Sequence, residues 1–409
     1  MPTVEHDPAE VGVDPRRLER IDTHLRQYVD DGRLAGWQVH VTRRGRTVHA
    51  STCGSRDLEA GLPVEPDTLW RIYSMTKPVT AVVAMQLYEE GLVSLNDEVS
   101  RWLPEFAEMR VLVGGHVDQP RTVPATQPVR LWHLLTHTAG LTYAFTRSSL
   151  LDDLYKAHRA DPVSDPTVDL AAMCERWASL PLLFEPGTAW NYSVATDVLG
   201  RVVEVVLGQT LEEAFRERVL APLGMTETTW WVEPERQSRL AALYVPNPAD
   251  GRALRYDAMG DHALSPPRLL SGGGGLVSTA DDYARFTAML LGGGALDGVR
   301  LLGPRTLAYM GRNHLPGGAS LVDVGRGQFA ETAYDGIGFG LGFGVSVDPV
   351  ATKVTANPGE LTWGGLASTA FWVDPAEQLA VHFYTQLVPS STYPVRTQLR
   401  PLVTQALVD

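Results

Sequence analysis

Strand patterns lie near both ends of this 409-residue chain, and a long segment of mainly helical character separates them. Apolar and polar residues alternate from Trp37 to Thr47, and further strand patterns occupy residues 341–348, 367–374 and 379–386. Residues 102–276 are mainly helical and carry several proline-rich turns. These turns are at residues 120–128, 161–166, 246–248 and 266–267. A chain patterned in this way builds one sheet from both of its ends.

Helices are predicted on either side of these strands. Apolar residues recur at helical spacing within residues 14–31, and residues 394–407 form the last helical segment. We therefore predict a mixed α+β fold, with an antiparallel sheet flanked by helices. The predicted sheet domain comprises residues 1–100 and 277–409, and an inserted, mainly helical domain spans residues 101–276. The active site is expected in the cleft between them.

Composition and charge exclude several classes of function. Hydrophobic residues make up 44% of the chain and charged residues 20%, which is typical of a packed globular protein. The net charge of -13, with acidic and basic residues interspersed, argues against a nucleic-acid partner, because that binding relies on clustered Lys and Arg. The first 22 residues do not resemble a secretory signal, and no stretch approaches the ~20 apolar residues of a membrane span. We expect a cytoplasmic protein without a membrane partner.

The cysteines and histidines predict neither a redox pair nor a metal site. Cys53 and Cys174 lie far apart without C-x-x-C spacing, and both are expected to fill apolar space. His133 and His137 have the i, i+4 spacing of zinc ligands, but the glutamate of an H-E-x-x-H motif and a third ligand are missing. We assign them structural roles and expect no metal and no cofactor.

The first chemical signal is an S-x-x-K pattern formed by Ser74 and Lys77 at the start of an apolar helix. Residues 76–90 lack a strongly polar face and Gly91 is placed as a cap, so the helix is predicted to be buried. Positions i and i+3 share a face of a helix, so the two side chains would touch. A serine needs a neighbour to take its proton, and a lysine does so only when burial or positive charge lowers its pKa. The pattern alone is weak, because a tetrapeptide with two fixed positions is common.

Two glycine patterns and one missing motif reduce the number of folds and binding sites that fit the sequence. Glycine occupies every second position from Gly336 to Gly344, so a strand here would have one bare face that a helix or ligand can approach closely. The run Gly272–Gly275 lacks the Lys-Ser/Thr of a Walker loop, which favours a close contact between loop and sheet. A G-x-S-x-G nucleophile elbow is absent, and residues 318–320 and 344–346 are only half-matches, which disfavours an α/β-hydrolase.

Further segments give the S-x-x-K pattern its context. With them, the chain resembles the serine beta-lactamase and DD-peptidase superfamily, in its class C-like branch, and most closely the family VIII carboxylesterases. The resemblance covers almost the whole chain. Its motifs are YSMTKP at 73–78, HLLTHTAGL at 133–141, FEPG at 184–187, NYS at 191–193, APLGM at 221–225, SGGGGL at 271–276, STADD at 278–282 and WGG at 363–365.

The resemblance implies the beta-lactamase/DD-peptidase-like fold and a role for individual residues. Ser74 would be the acylated nucleophile, with Lys77 as its proton acceptor or orienter. Tyr192 would complete the triad as a base whose pKa the lysine charge lowers, and which of the last two takes the proton stays open. The backbone N–H groups of Ser74 and Leu366 would form the oxyanion hole.

Two positions depart from the beta-lactamase pattern. The lactamases carry Tyr-x-Asn as their second motif, whereas this chain has Val194 at the third position. The third motif of the lactamases begins with Lys, which Trp363 replaces here, so a cation for a beta-lactam carboxylate is not evident. With both changes, the chain resembles the family VIII esterases, whose third motif commonly reads Trp-Gly-Gly. The residues predicted to bind substrate are Trp363, Gly364, Gly365, Tyr73 and Phe145.

These inferences predict a serine carboxylesterase that hydrolyses small, short-chain acyl esters through an acyl-enzyme. One alternative is a beta-lactamase or DD-peptidase-like amidase, which Val194 disfavours. A second alternative is an acyltransferase, which the sequence does not separate from a hydrolase because water and an acceptor compete for one intermediate. A third is a catalytically inactive binding protein, which the intact set of Ser74, Lys77 and Tyr192 disfavours.

Overall fold

The computed structural model describes residues 7–162, 167–326, 333–390 and 392–409, so most of the turn predicted at 161–166 lies outside the described residues. The helices run over Pro15–Asp30 (α1), Lys77–Glu89 (α2), Leu131–Leu135 (α3), Leu150–Ala157 (α4), Leu170–Ala178 (α5), Ala195–Leu207 (α6), Leu211–Phe215 (α7), Ala221–Leu223 (α8), Asp257–Gly260 (α9), Ala280–Leu291 (α10), Pro304–Met310 (α11), Leu321–Val324 (α12), Pro349–Thr352 (α13) and Val395–Thr404 (α14). The strands run over Gly36–Arg43 (β1), Arg46–Asp57 (β2), Leu62–Pro63 (β3), Trp70–Arg71 (β4), Arg110–His116 (β5), Gln119–Pro124 (β6), Tyr244–Pro246 (β7), Ala253–Arg255 (β8), Val277–Ser278 (β9), Ala295–Leu296 (β10), Val299–Arg300 (β11), Ile337–Phe339 (β12), Gly344–Ser346 (β13), Leu361–Gly364 (β14), Ala370–Asp374 (β15) and Leu379–Tyr384 (β16).

An eight-stranded antiparallel sheet organises the described part of the chain. Its strand order is β12-β13-β14-β15-β16-β1-β2-β3. The two ends of the chain meet where β1 pairs with β16, from Gln38 opposite Tyr384 to Arg43 opposite Leu379. The predicted antiparallel sheet, flanked by helices and built from both ends of the chain, is confirmed.

One face of the sheet is covered by α1 and α14. The helix α1 begins at Asp14, whose side chain accepts a hydrogen bond from the Arg16 N–H and so caps the first turn. Leu18, Ile21 and Leu25 then lie buried along a single helix face against the sheet. The helical spacing seen in the sequence therefore identifies the side of α1 that packs.

The opposite face is covered by α10, and α2 lies within the same large apolar core. Residues Lys77–Leu87 are all buried, as the absence of a polar face predicts. The helix stops near Gly91, whose φ of +72° is the left-handed conformation of a C-terminal cap. At Gly342 a Cβ atom would lie 2.3 Å from the Cβ of Ala81, so this glycine permits the close approach of α2.

Three local predictions are corrected by the structure. Residues 336–344 do not form one strand: β12 and β13 make a hairpin, and the positive φ of Gly342, +101°, lies in its turn. The region around 120–128 is not only a proline-rich turn, because β6 pairs with β5 as a two-stranded sheet. Such a sheet leaves each strand one open edge, where a proline without an N–H is tolerated. The strand pattern predicted at 367–374 begins only at Ala370, as β15, because the end of β14 at Gly364 is followed by a turn.

The helical middle of the chain shares its apolar core with the sheet. Buried residues of α2, α3, α6 and β15 belong to one continuous cluster. The domain boundaries at residues 100 and 276 therefore stay a prediction. No helix in the described ranges combines the length and apolar character needed to cross a membrane.

A buried histidine pair predicts acid sensitivity. His40 and His382 are cross-strand neighbours, stack with ring centroids 5.7 Å apart, and are both buried. Burial, assisted by the charge of His49, lowers the pKa of His40 to about 4, and burial also holds the pKa of His382 well below 6.5. The unfolded chain therefore binds protons at these two histidines that the folded chain does not bind. The free energy of unfolding falls as the pH drops from about 6.5 towards 4.

We expect His40→Leu to reduce this loss by up to about 3 kcal/mol at the acidic end of the window. Urea unfolding at pH 7.5, 6 and 5 measures the effect as the difference in slope between wild type and variant. The exposed His116, changed to Gln, is the matched control. Equal slopes for wild type and His40→Leu would contradict the prediction.

Candidate active site

The turn that carries Ser74 has a strained backbone. Ser74 lies in the 3-10 turn Tyr73–Thr76 directly before α2, and Tyr73 has a φ of +43°. Bulky residues rarely adopt this left-handed conformation, and strain of this kind clusters at functional sites. The backbone before the turn is fixed by the hydrogen bond from the Ile72 N–H to the Leu276 carbonyl, 3.0 Å. The fold therefore presents the Ser74 side chain from one defined position.

Two side chains, one three residues away in sequence and one from a distant segment, converge on the Ser74 hydroxyl. The Tyr192 hydroxyl donates to Ser74 Oγ at 2.5 Å, and Lys77 Nζ donates to the same oxygen at 3.3 Å. Lys77 and Tyr192 are buried, and 8% of the Ser74 surface is exposed. The three residues that the sequence predicts as catalytic are therefore in mutual contact.

The Lys77 ammonium is held by oxygens from two other segments. Nζ donates to the Gly273 carbonyl at 2.6 Å and to the Tyr143 hydroxyl at 3.2 Å. It also lies 4.5 Å from the centre of the Tyr192 ring, within the range of a cation–π contact. This arrangement positions a cation beside the two hydroxyl groups of Ser74 and Tyr192.

Asp197 is a buried carboxylate that bonds to the loop containing Gly273. Its Oδ1 accepts hydrogen bonds from Ser271 Oγ at 2.5 Å and from the Gly273 N–H at 3.0 Å. Burial raises the pKa of the Asp197 carboxyl, and the charge of Lys77 together with these hydrogen bonds opposes the rise. Gly273 thus contacts the carboxylate through its N–H and the ammonium through its carbonyl.

Aromatic rings surround Tyr192 and fix its orientation. The rings of His137, Tyr143 and Trp363 have centroids 5.1, 5.4 and 5.4 Å from that of Tyr192. Trp190 stacks at 6.2 Å with an interplanar angle of 18°. The tyrosine ring is therefore confined, and its hydroxyl points at Ser74.

The histidines of the i, i+4 pair are engaged within the fold. His133 Nδ1 accepts from the Arg130 N–H at 3.0 Å, and His137 Nδ1 lies 3.2 Å from Ser193 Oγ. Burial, with the nearby charges of Arg130 and Lys77, lowers the pKa of both rings, to about 4 for His133. Both rings are therefore neutral near pH 7, and His137 packs beside Tyr192.

The backbone N–H groups of Ser74 and Leu366 belong to adjoining turns, and both residues line the same cavity. Within the described ranges, neither N–H donates to another protein group. The turns touch at Gly365, where a Cβ atom would lie 2.4 Å from the Ile72 carbonyl oxygen. Two such N–H groups that line one cavity with Ser74 have the character of an oxyanion hole. Their assignment to that role stays a prediction.

A cavity of about 470 Å³ opens at Ser74. Its lining is mostly apolar. The lining residues other than Ser74 include Tyr73, Tyr143, Phe145, Leu366, Trp230, Met259, Ala263, Pro266, Pro267 and Leu269. A cavity of this volume and character is typical of a site for a small organic molecule.

The residues predicted to bind substrate occupy two different places. Tyr73 and Phe145 line the cavity, and 41% of the Phe145 surface is exposed. Trp363, Gly364 and Gly365 are not among the described residues that line it. Trp363 is buried against Tyr192, so its contact with the predicted catalytic side chains is through that ring. The substrate-binding role of these residues stays a prediction.

Sequence reasoning missed Tyr143 and Asp197. Tyr143 bonds to Lys77, and Asp197 bonds to Gly273, whose carbonyl also binds Lys77. Neither residue belongs to a motif identified in the sequence. One signal was available for Asp197, since it is a lone acid within the apolar first turns of α6. For Tyr143 no local signal exists, because its contact with Lys77 spans 66 positions of sequence.

The comparisons with known proteins agree with this geometry. A beta-lactamase family profile matches residues 21–405. The chain is 38% identical over 376 residues to protein Rv1367c of Mycobacterium tuberculosis, covering 91% of this chain and 90% of that protein. It is 34% identical over 400 residues to esterase EstB of Burkholderia gladioli, covering 93% of each. It also superposes on EstCE1, a hydrolase with promiscuous acyltransferase activity, with a TM-score of 0.81 and 29% identity over 95% of this chain and 99% of that one. The chain therefore belongs to the beta-lactamase family, in the branch of that family that includes esterases.

Proposed function

We propose that this protein is a carboxylesterase that cleaves esters of small molecules through an acyl-enzyme on Ser74. The observation that carries the proposal is the convergence of Lys77 Nζ and the Tyr192 hydroxyl on Ser74 Oγ, at the edge of a mostly apolar cavity. The similarity to EstB supports the choice of an ester as substrate. Short-chain acyl groups are the substrates we expect first.

In the proposed acylation, Ser74 Oγ attacks the ester carbonyl while its proton passes to the Tyr192–Lys77 pair. The cation of Lys77 favours the deprotonated form of a neighbouring tyrosine, so the pair serves as one proton acceptor. Negative charge grows on the carbonyl oxygen, where the N–H groups of Ser74 and Leu366 would receive it. The same pair returns the proton to the departing alkoxide. Water then hydrolyses the acyl-enzyme by the reverse path.

The surroundings of the second and third motifs favour an ester over a beta-lactam. Val194 is buried at the start of α6 and offers no amide to a substrate. Trp363 is buried against aromatic rings where the lactamase pattern has a lysine. Arg71, a cation in the cavity lining, donates to the carbonyls of Ala241 and Gly260. At both motif positions, buried apolar side chains therefore replace the anchors that the lactamase pattern provides for a beta-lactam side chain and carboxylate.

Ser74→Ala is expected to lower the hydrolysis of p-nitrophenyl butyrate by about 10³-fold or more, since it removes the nucleophile. The wild type is expected to cleave a chromogenic cephalosporin far more slowly than the ester. Steady-state rates at matched enzyme concentration measure both, and Ser51→Ala in β2 is the control. Ester cleavage that survives in Ser74→Ala would refute the nucleophile, and dominant cephalosporin cleavage would favour the amidase alternative.

The two tyrosines that contact Lys77 are expected to differ in their effect on catalysis. Tyr192→Phe removes the hydroxyl that bonds to Ser74 and should lower kcat/KM by about 10²- to 10⁴-fold. Tyr143→Phe removes one of several oxygens around Lys77 and should cost about 10-fold or less. Stopped-flow acylation rates measure both, with near-ultraviolet circular dichroism as the check on folding. Equal losses would mean that both hydroxyls take part in the proton transfer.

Acyl transfer to an alcohol is a second candidate. The cavity beside Ser74 is mostly apolar and open, so an alcohol that partitions into it competes with water for the acyl-enzyme. EstCE1, with its promiscuous acyltransferase activity, supports this candidate.

Adding n-butanol to the p-nitrophenyl butyrate reaction is expected to yield butyl butyrate in proportion to the alcohol concentration. Gas chromatography of the products measures the ratio of ester to acid. The hydrophilic acceptor glycerol at equal hydroxyl concentration is the control and should capture less acyl group. Butyric acid as the sole product at every butanol concentration would exclude transfer.

A further inference from the structure

The peptide bond between Gly365 and Leu366 is contacted by a guanidinium group. Its carbonyl oxygen, on Gly365, accepts a hydrogen bond from Arg396 Nη2 at 3.0 Å. The peptide is trans, since the described cis bond is at Val388–Pro389, so its N–H and C=O point in opposite directions. The cation therefore lies on the side of the peptide away from the N–H that is expected to face the substrate oxygen.

The fold makes specific room for this contact. Arg396 projects from the first turn of α14, and its Nη2 also donates to the Thr369 carbonyl at 2.7 Å, across the turn that follows β14. A Cβ atom on Gly364 would lie 2.5 Å from the guanidinium carbon, so any larger residue at 364 would displace the arginine. Gly364 therefore accommodates Arg396, on the strand position next to Trp363, whose ring contacts Tyr192.

The neighbouring glycine connects the same turn to the nucleophile. Gly365 lies against the Ile72 carbonyl, which also accepts the Met75 N–H at 3.1 Å within the turn that carries Ser74. Thr369 Oγ1 donates to that carbonyl at 3.4 Å. The guanidinium thus binds one side of a turn whose other side touches the Ser74 turn. The position of the guanidinium therefore affects the distance between the backbone N–H groups of Ser74 and Leu366.

We propose that Arg396 is a positioning residue for the oxyanion hole, an inference that rests on the proposed esterase function. The guanidinium holds the plane of the Gly365–Leu366 peptide and withdraws electron density through its carbonyl oxygen. A peptide polarised in this way is a stronger N–H donor, since hydrogen bonds in a chain reinforce one another. The gain is largest when the substrate oxygen becomes an anion, so the arginine acts on the transition state more than on the bound ester.

The chain supplies a matched control one helical turn further on. Arg400 projects from the same face of α14 and bonds to Glu360 and Thr362 of the β14 region, at 2.5 and 3.4 Å. It stacks over Trp372 but contacts neither Gly365 nor Leu366 among the described contacts. A role limited to fastening α14 to the sheet would affect Arg396 and Arg400 variants alike.

The experiment compares full-length wild type, Arg396→Met, Arg396→Lys and Arg400→Met. Each is acylated with p-nitrophenyl trimethylacetate carrying ¹³C at the carbonyl, and infrared difference spectra record the stretch of the labelled acyl-enzyme carbonyl. We expect the band to move to higher wavenumber in Arg396→Met, because a weaker donor polarises the carbonyl less. It should stay in place in Arg400→Met and move partly in Arg396→Lys.

Kinetics supply the second readout. Arg396→Met should lower kcat for p-nitrophenyl butyrate by about 10-fold with little change in KM, since a weakened oxyanion donor costs less than a lost one, whose loss costs about 10²-fold. Affinity for butylboronic acid, whose adduct with Ser74 is tetrahedral, should fall by a similar factor. If Arg396→Met fails to fold, Arg396→Gln, which keeps a neutral donor near Gly365, carries the same test with a smaller expected shift.

Each failure has its own signature. An unmoved carbonyl band in the Arg396 variants, or equal movement in Arg400→Met, would overturn the role of Arg396 while the esterase function stands. A KM change without a kcat change would do the same. If mass spectrometry finds no acyl group on Ser74 of the wild type, the proposed function fails, and the role of Arg396 is overturned with it.

Discussion

The buried charge of Lys77 is the constraint on which the site depends. An ammonium group without exposed surface loses its hydration, a cost of several kcal/mol unless protein oxygens replace the water. The Gly273 carbonyl and the hydroxyls of Ser74 and Tyr143 supply such oxygens, and Asp197 adds negative charge nearby. The polar groups around the ammonium therefore come from the Gly272–Gly275 loop, from α6 and from the turn before α2, as well as from Tyr143. Ser74 Oγ is one of the oxygens around the ammonium, and it also accepts the hydrogen bond of the Tyr192 hydroxyl.

Much of this arrangement can be predicted from sequence, because local periodicity determines it. The i, i+3 spacing of Ser74 and Lys77 brings them into contact because the 3-10 turn that carries Ser74 runs directly into α2, and the lack of a strongly polar face on α2 predicts its burial. The meeting of β1 and β16 follows from strand patterns at both ends of the chain. Tyr192 joins the pair only through tertiary packing, and its identification came from a family resemblance rather than from periodicity.

The residues that could not be predicted share a physical reason. Tyr143 and Asp197 interact with Lys77 through space, so no regular spacing in the sequence marks either residue. The hairpin of β5 and β6 was hidden because its prolines suggest turns, although an edge strand tolerates them. The alternating glycines near 336–344 suggested one strand with a bare face. The bare position at Gly342 exists, but it serves a turn that receives α2 rather than a ligand.

The Trp363–Gly365 motif shows how one short segment meets several demands at once. Trp363 closes the aromatic surroundings of Tyr192, Gly364 admits the Arg396 guanidinium, and Gly365 admits the turn of Ser74. Trp363 packs its ring against Tyr192 and Phe339, and in place of a lysine it gives up an anchor for anionic substrates. An alkoxide leaves a tetrahedral intermediate more readily than an amide nitrogen, so a site with fewer polar anchors still suffices for esters.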